Sequence, residues 1–186
     1  MEYPKSFKVS RRSPSMEEMQ WLQEWIQNQK FKDGVKVLEF GCGITSWVLY
    51  NSFPSISKYV SVENYQPCMN QVRENVPEVE FIDTTWHDIP KDSYDFVFVD
   101  ASTCAPDDLE CVYKKGDVLF RDDAIHYSMD FVADDCYFVV HDWCYKTGWL
   151  RSRKYFDKRQ YELIDCLRTA HGLGIYQKSK RIVGKD

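Results

Sequence analysis

One stretch, VKVLEFGCGITSWVLY from Val35 to Tyr50, constrains the fold more than any other part of the chain. A mostly apolar run is followed by two glycines, Gly41 and Gly43, and then by a segment that we expect to be helical from Thr45. A nearly continuous apolar run is typical of a parallel strand buried on both faces. Glycine lets the backbone approach a ligand closely because it has no Cβ. The stretch therefore predicts a strand, turn and helix of the kind that binds a nucleotide-like ligand.

Strand-like and helix-like segments alternate along most of the chain. A helix is predicted to start at Ser15, where Glu18 completes a capping box. Alternation at this spacing indicates βαβ units and a parallel sheet with helices on both faces. The other predicted segments are strands at Val35 to Phe40, Tyr59 to Val62, Val79 to Ile82, Tyr94 to Val99 and Cys136 to His141, and helices at Pro67 to Asn75 and about Asp122 to Ala133.

The end of the chain has a different pattern. Two strand-like runs, Tyr161 to Leu167 and Leu173 to Gln177, are separated only by Arg168 to Gly172. That connection is too short for a parallel crossover, so we expect an antiparallel hairpin. The predicted fold class is thus α/β, a doubly wound and mostly parallel seven-stranded sheet with a C-terminal antiparallel hairpin.

Length and composition indicate one domain spanning residues 1–186, with an N-terminal extension and helix over residues 1–30. The net charge of −5 provides no global positive field for nucleic acid or anionic membranes. Seven cysteines are scattered without metal-like spacing and indicate reduced thiols. No apolar run is long enough to span a bilayer. We therefore expect a cytoplasmic protein without a membrane partner; the composition leaves the oligomeric state open.

A carboxylate follows the second strand where a ribose would lie. Glu63 stands 20 residues beyond Gly43, a position suited to accept hydrogen bonds from a ribose diol. A solvated strand end is the alternative interpretation of Glu63. Binding of NAD would require glycine at position 46 for the G-x-G-x-x-G pattern, but Ser46 is there.

Together these features resemble the class I S-adenosylmethionine-dependent methyltransferases. The likeness rests on E-F-G-C-G-I-T at residues 39–45, the acidic end of the second strand, the apolar fourth strand ending in Asp100, and the terminal hairpin. It covers about Val35 to Gln177. The resemblance implies S-adenosyl-L-methionine as cofactor. The cofactor-binding residues it implies are Glu39, Gly41, Gly43 and Thr45 in the first motif, Glu63 at the ribose, Thr85 and Trp86 at the adenine, and Asp100 near the amino group or the methyl-transfer centre.

The motifs after the fourth and fifth strands bear on the acceptor. Asp100-Ala101-Ser102-Thr103 lacks the N-P-P-Y or D-P-P-Y run of enzymes that methylate base amino groups. His141-Asp142-Trp143 resembles small-molecule O-methyltransferases in which an acidic residue faces the acceptor. Asp142 at the strand end is the preferred base, and His141 is either a base or a core residue. His87 is a lesser candidate, and His126 is interpreted as structural.

A divalent metal such as Mg²⁺ is a further hypothesis. Asp100 and Asp142 end neighbouring predicted strands and would present two carboxylates to one spot, where they either hold a cation or keep one group protonated or solvated. In the metal-dependent relatives a third ligand, often Asn, directly follows the second Asp. Trp143 occupies that position here, which puts the metal site in doubt.

The segment CYKTGWLRSRKYFDKRQ at residues 144–160 is rich in Lys, Arg and aromatic residues. A solvated face is one interpretation; a clamp for an anionic or aromatic small-molecule acceptor is the other. We therefore predict O-methylation of a small polar or anionic molecule by an enzyme with catalytic residues Asp142, His141 and Asp100. The alternatives are an RNA methyltransferase, which would use phosphate contacts and base stacking, and a non-catalytic cofactor-binding interaction module.

Overall fold

The computed structural model describes residues 4–5, 7, 13–82, 89–100, 121–143 and 156–179; for residues 121–124 it describes the backbone only. These residues form one α/β unit. Its elements, in chain order, are α1 Met16–Asn28, β1 Val35–Phe40, α2 Ile44–Ser52, β2 Ile56–Val62, α3 Gln66–Asn75, β3 Glu80–Ile82, β4 Tyr94–Val99, α4 Arg121–Ser128, β5 Val132–His141, β6 Tyr161–Leu167 and β7 Leu173–Lys178.

The strands form one seven-stranded sheet in the order β3-β2-β1-β4-β5-β7-β6. Strands β1 to β5 run parallel to one another, while β7 runs antiparallel between β5 and β6. The order reverses between β1 and β4, and the carboxyl ends beside such a reversal are where open α/β sheets bind ligands. The predicted fold class, including the antiparallel hairpin, is confirmed.

Residue alternation along the strands builds a core on each face of the sheet. Val37 of β1 belongs to a cluster with side chains of α1 and α2, whereas its neighbour Leu38 belongs to a second cluster with Ile125 of α4. Successive strand residues point to opposite faces, so both faces need helices to cover them. Glu39 follows Leu38 and so lies on the α1 and α2 side. Within the described residues, no helix is both long and apolar enough to cross a bilayer.

The observed bounds match the predicted ones at β1, β4 and β6, differ by one residue at α3, β3 and β7, and differ more at β2, α4 and β5. The capping box of α1 is present: Glu18 N donates to Ser15 Oγ and Ser15 N donates to Glu18 Oε2. The prediction of a helix to Ala133 is wrong, because α4 ends at Ser128 and Val132 already pairs with Tyr94 of β4. β5 is therefore longer than the predicted Cys136 to His141. β2 likewise begins at Ile56, because that residue pairs with Val35.

Candidate functional site

The glycine turn after β1 is tied to the ends of both neighbouring strands. Gly41 N donates to Val62 O at 3.1 Å, and Asp100 N donates to Phe40 O at 2.9 Å. Gly41 has φ 87°, a left-handed conformation that favours glycine. A Cβ added to Gly43 would meet no atom within 4 Å, so the space beside its backbone is open. The turn thus offers bare backbone to a ligand where β1, β2 and β4 end.

Glu39 lies beneath this turn and is enclosed by other side chains. Its side chain has no exposed surface, and it accepts hydrogen bonds from Thr45 Oγ1 at 2.6 Å, Ser46 Oγ at 2.7 Å and Tyr59 Oη at 3.0 Å. Burial raises the pKa of the Glu39 carboxyl to about 7, although these hydroxyl donors oppose the shift. Glu39 and the buried Thr45, both predicted to bind cofactor, are placed here to anchor the start of α2 and hold the turn.

Glu63 stands beside the turn at the end of β2. Its Oε1 accepts from the backbone N–H groups of Asn64 and Tyr65, each at 2.8 Å, and its Oε2 accepts from Cys42 N at 3.2 Å. Burial raises the pKa of Glu63, and the three N–H donors oppose that rise. A carboxylate oxygen accepts two hydrogen bonds, so Oε2 has capacity for a further donor. The backbone thus fixes the Glu63 carboxylate beside the glycine turn, with capacity for one further hydrogen bond.

His141 lies between carboxylates from two other elements. It is fully buried, with Nδ1 2.6 Å from Asp100 Oδ1 and Nε2 3.6 Å from Glu18 Oε2, the latter an ion-pair distance. Burial alone would lower the pKa of His141, but Asp100, Glu18 and Asp142 raise it to about 10. His141 is therefore an imidazolium at neutral pH, and its positive charge offsets the negative charge of the surrounding carboxylates.

Glu18 was predicted only as a helix cap, but it also joins α1 to the site. The buried carboxylate accepts hydrogen bonds from Thr169 Oγ1 and from Gly172 N, the second at 2.7 Å, both in the turn between β6 and β7. Burial would raise the pKa of Glu18, but interactions with His141, Thr169 and backbone N–H groups hold it well below its usual range. Glu18 therefore remains ionised beside His141.

A second histidine–carboxylate pair lies next to the first. Asp142 Oδ1 is 2.6 Å from His171 Nδ1, and the His171 ring stacks on His141 with centroids 5.6 Å apart. Asp142 has φ 56°, a strained conformation for a non-glycine residue. Both side chains of this pair are partly exposed, 26% for Asp142 and 31% for His171. The pair therefore reaches solvent where His141 does not.

These residues bear on the metal hypothesis. His141, Asp142 and His171 each offer a ligand atom, and these atoms lie within 4.8 Å of one another. Two imidazoles do not suit Mg²⁺, which prefers oxygen ligands. The imidazolium of His141 contacts Asp100 directly and lies 3.9 Å from Asp142 Oδ1. It thus supplies positive charge between these two aspartates, for which the sequence had left open either a divalent cation or a protonated or solvated carboxylate.

Trp143 packs away from these histidines and aspartates. Its Nε1 donates to Tyr176 Oη at 2.9 Å, and its ring lies against Gly174 of β7. The residue at the position predicted for a third metal ligand is therefore part of the core between β5 and β7.

The structure brings together most of the predicted site residues that it describes, at the carboxyl edge of the sheet. Thr85, Trp86 and His87, and the basic segment up to residue 155, lie outside the described residues. Two residues of the site, Glu18 and His171, were not predicted to belong to it. The capping box accounted for Glu18 locally, and His171 stands in a hairpin turn whose position relative to β5 depends on how the strands pair.

Comparison with known proteins places the fold. No family model and no curated protein matches the sequence. The chain is structurally similar to a precorrin-6y C5,15-methyltransferase from Geobacter metallireducens GS-15, with TM-score 0.65 and 12% identity over 93% of each chain. It has the class I methyltransferase fold.

Two further structures share it. An O-methyltransferase from Bacillus cereus in complex with SAH has TM-score 0.65 and 12% identity, over 92% of this chain and 84% of that one. A ribosomal protein L11 methylase from Lactobacillus delbrueckii subsp. bulgaricus has TM-score 0.62 and 12% identity, over 90% and 81%. The resemblance in the first motif thus extends to the whole arrangement of strands.

Proposed function

We propose that this protein is an S-adenosylmethionine-dependent methyltransferase that methylates oxygen on a small polar or anionic acceptor. The observation that carries the proposal is the position of Glu63. Its carboxylate is fixed by three backbone N–H groups, one of them from Cys42 between the two glycines of the turn. A carboxylate suited to a ribose diol and an open stretch of backbone are thereby held together at the ends of β1 and β2.

The residues present fit this cofactor. The open space beside Gly43 admits a ligand against the backbone, and Oε2 of Glu63, which accepts one hydrogen bond from Cys42 N, has capacity for a second from a ribose hydroxyl. Asp100, whose N–H is bonded to Phe40 O, ends β4 against the turn and is assigned to the amino group of the cofactor. When bound, the cofactor supplies a sulfonium methyl group for transfer.

Support for an oxygen acceptor comes from the polar groups beside the cofactor edge. Asp142 and His171 are partly exposed. His141 lies between Asp142 and Asp100 and connects the pair to the end of β4. Such a pair can position a hydroxyl group and manage its proton, and catalysis of methyl transfer depends largely on positioning. The structurally similar proteins include an O-methyltransferase.

Binding of S-adenosylhomocysteine to a Glu63→Ala variant tests the proposal. Hydrogen bonds to a charged group contribute about 1.5 to 3 kcal/mol each, so the variant should bind at least about tenfold more weakly by calorimetry. Glu63→Gln keeps the side-chain volume and one carbonyl acceptor, so its affinity for S-adenosylhomocysteine should lie between those of the wild type and Glu63→Ala. Glu74→Ala, in an exposed part of α3, is the matched control and should bind like the wild type. Unchanged affinity in a folded Glu63→Ala protein would remove Glu63 from the site and the main support for the proposal.

A further inference from the structure

Two histidine–aspartate pairs lie side by side at the ends of β4 and β5, and they differ in what they can do. Together Asp100, His141, Asp142 and His171 form what we name the histidine–aspartate cluster. Carboxylate oxygens and ring nitrogens alternate along the cluster. His141 Nδ1 lies 2.6 Å from Asp100 Oδ1 and 3.9 Å from Asp142 Oδ1. Asp142 Oδ1 in turn lies 2.6 Å from His171 Nδ1. A polar path therefore runs from the cofactor edge to the turn between β6 and β7.

The inner pair is not suited to accept a proton. His141 has no exposed surface, and both of its ring nitrogens face carboxylates, Asp100 on one side and Glu18 on the other. These neighbours keep the pKa of His141 at about 10, so the ring already carries its second proton at neutral pH. The sequence left His141 open as either a catalytic base or a core residue. Its surroundings remove the support for a catalytic base.

The outer pair has the geometry of a general base. An ionised carboxylate only accepts hydrogen bonds, so with Asp142 ionised the 2.6 Å contact is a hydrogen bond donated by His171 Nδ1, and in that neutral tautomer Nε2 is the acceptor. The ring is held on two sides, by Asp142 and by the stacked His141, yet 31% of its side chain reaches solvent. An imidazole is better matched than a carboxylate to proton transfer near neutral pH.

The backbone explains why Asp142 points to this pair. Its neighbours on either side are enclosed: His141 contacts Asp100, and Trp143 packs on Gly174. Asp142 takes up the change of direction with φ 56°, and Trp143 N donates to Gly172 O at 3.2 Å, next to His171 in the chain. The turn that carries His171 is fixed in addition by Glu18, through Gly172 N. Strained backbone that the surroundings hold in place is a feature of functional sites.

We propose that His171 is the catalytic base for the methyl acceptor and that Asp142 is its positioning partner. This inference rests on the proposed function. As the acceptor oxygen forms its bond to the methyl carbon, the carbon–sulfur bond breaks and its electron pair stays on sulfur, giving the thioether S-adenosylhomocysteine. The proton of the acceptor hydroxyl passes to Nε2 of His171, and the imidazolium so formed is stabilised by Asp142 and later releases the proton to water.

The experiment uses the full chain and radiolabelled S-adenosylmethionine with a panel of phenols and hydroxy acids. For each phenol that the wild type methylates, His171→Gln should lower kcat/KM by about 100-fold or more at pH 7, the usual contribution of a general base. Its affinity for S-adenosylhomocysteine should stay within about twofold of wild type, because His171 is not assigned to the cofactor. His126→Gln, exposed on α4, is the matched control. For nitrophenols, which ionise near neutral pH and need no base, kcat/KM of His171→Gln should fall less than it does for phenol.

Nitrogen NMR of the histidine side chains tests the geometry without an acceptor. The neutral ring of His171 should carry its proton on Nδ1 in the wild type, and Asp142→Asn should shift the proton toward Nε2. A neutral wild-type ring with its proton on Nε2 would overturn the proposal, and so would a His171→Gln enzyme with unchanged kcat/KM on phenol. If the wild type methylates no compound of the panel, the O-methyltransferase proposal and this one fail together, whereas loss of His171 function alone leaves turnover by the wild type intact.

Discussion

His141 shows how the surroundings of a single residue decide its chemistry. In the unfolded chain it is an ordinary histidine, but folding places it between Asp100 of the β4 edge, Glu18 of α1, and the Asp142–His171 pair. Three carboxylates outweigh the desolvation of the ring. Protonation of His141 then stabilises the folded state, because the ring binds its proton more tightly there than in the unfolded chain.

We therefore predict that stability falls as the pH rises. The pKa of His141 is raised from 6.5 to about 10, so its contribution is fully present below pH 6.5 and is lost progressively up to about pH 10. Urea unfolding of the wild type and His141→Asn at pH 6, 8 and 10 measures the difference, on the order of a few kcal/mol at pH 6. Groups that do not contact His141 titrate alike in both proteins. A difference that does not shrink toward pH 10 would show that His141 is not charged.

At the scale of elements, the contact between the end of β5 and strand β7 shapes the site. Gly174 pairs with Val140 of β5, and its missing side chain leaves room for the indole of Trp143. Phe156 stacks on Tyr176 with centroids 3.9 Å apart, and Tyr176 accepts the Trp143 hydrogen bond. This aromatic packing fixes the residue after Asp142 and so determines where Asp142 lies.

Gly174→Ala should be destabilising for that reason. A Cβ there would lie 2.6 Å from Trp143 Cγ, too close for any side chain, so the indole or β7 must shift. Overpacking of this kind costs about 1 to 3 kcal/mol, measurable by urea unfolding. The control is a double-mutant cycle with Trp143→Ala: in the double variant the Gly174→Ala cost should largely disappear. Purely additive costs would mean that the indole is not the obstacle.

At the scale of the whole molecule, the described residues form one sheet with a packed core on each face, and the proposed cofactor edge draws on β1, β2 and β4 together. The ends of these strands are joined by hydrogen bonds from Gly41 to Val62 and from Asp100 to Phe40. A ligand that contacts all three strand ends binds only the folded state. Its binding energy therefore adds to the stability of the entire sheet.

S-adenosylhomocysteine should accordingly raise the melting temperature. At about 100 times its Kd, a ligand adds about 2.7 kcal/mol, which corresponds to about 5 to 10 °C for a domain of this size. Differential scanning fluorimetry with increasing ligand measures the shift. Glu63→Ala should show little shift at the same concentration, while Glu74→Ala should follow the wild type. An equal shift in Glu63→Ala would place the ligand elsewhere.

The local pattern of the sequence was sufficient for most of the fold. The apolar runs of β1 and β4, the capping box at Ser15 and the short connection before β7 are local signals, and the structure matches them. The end of α4 was mispredicted because Val132 leaves the helix to pair with Tyr94, a contact that the local sequence does not show.

The sequence by itself determined the strand–turn–helix of the first motif, the mostly parallel sheet with its terminal hairpin, and the position of Glu63 and Asp100 at strand ends, because these follow from periodicity, from glycine and from the short last connection. Only the tertiary structure decided which histidine carries charge and which reaches solvent. Glu18 meets His141 and Gly172 across 123 and 154 positions of the chain, and His171 meets Asp142 across 29. Protonation depends on the charges and burial that such contacts create, and neither is encoded by any one segment.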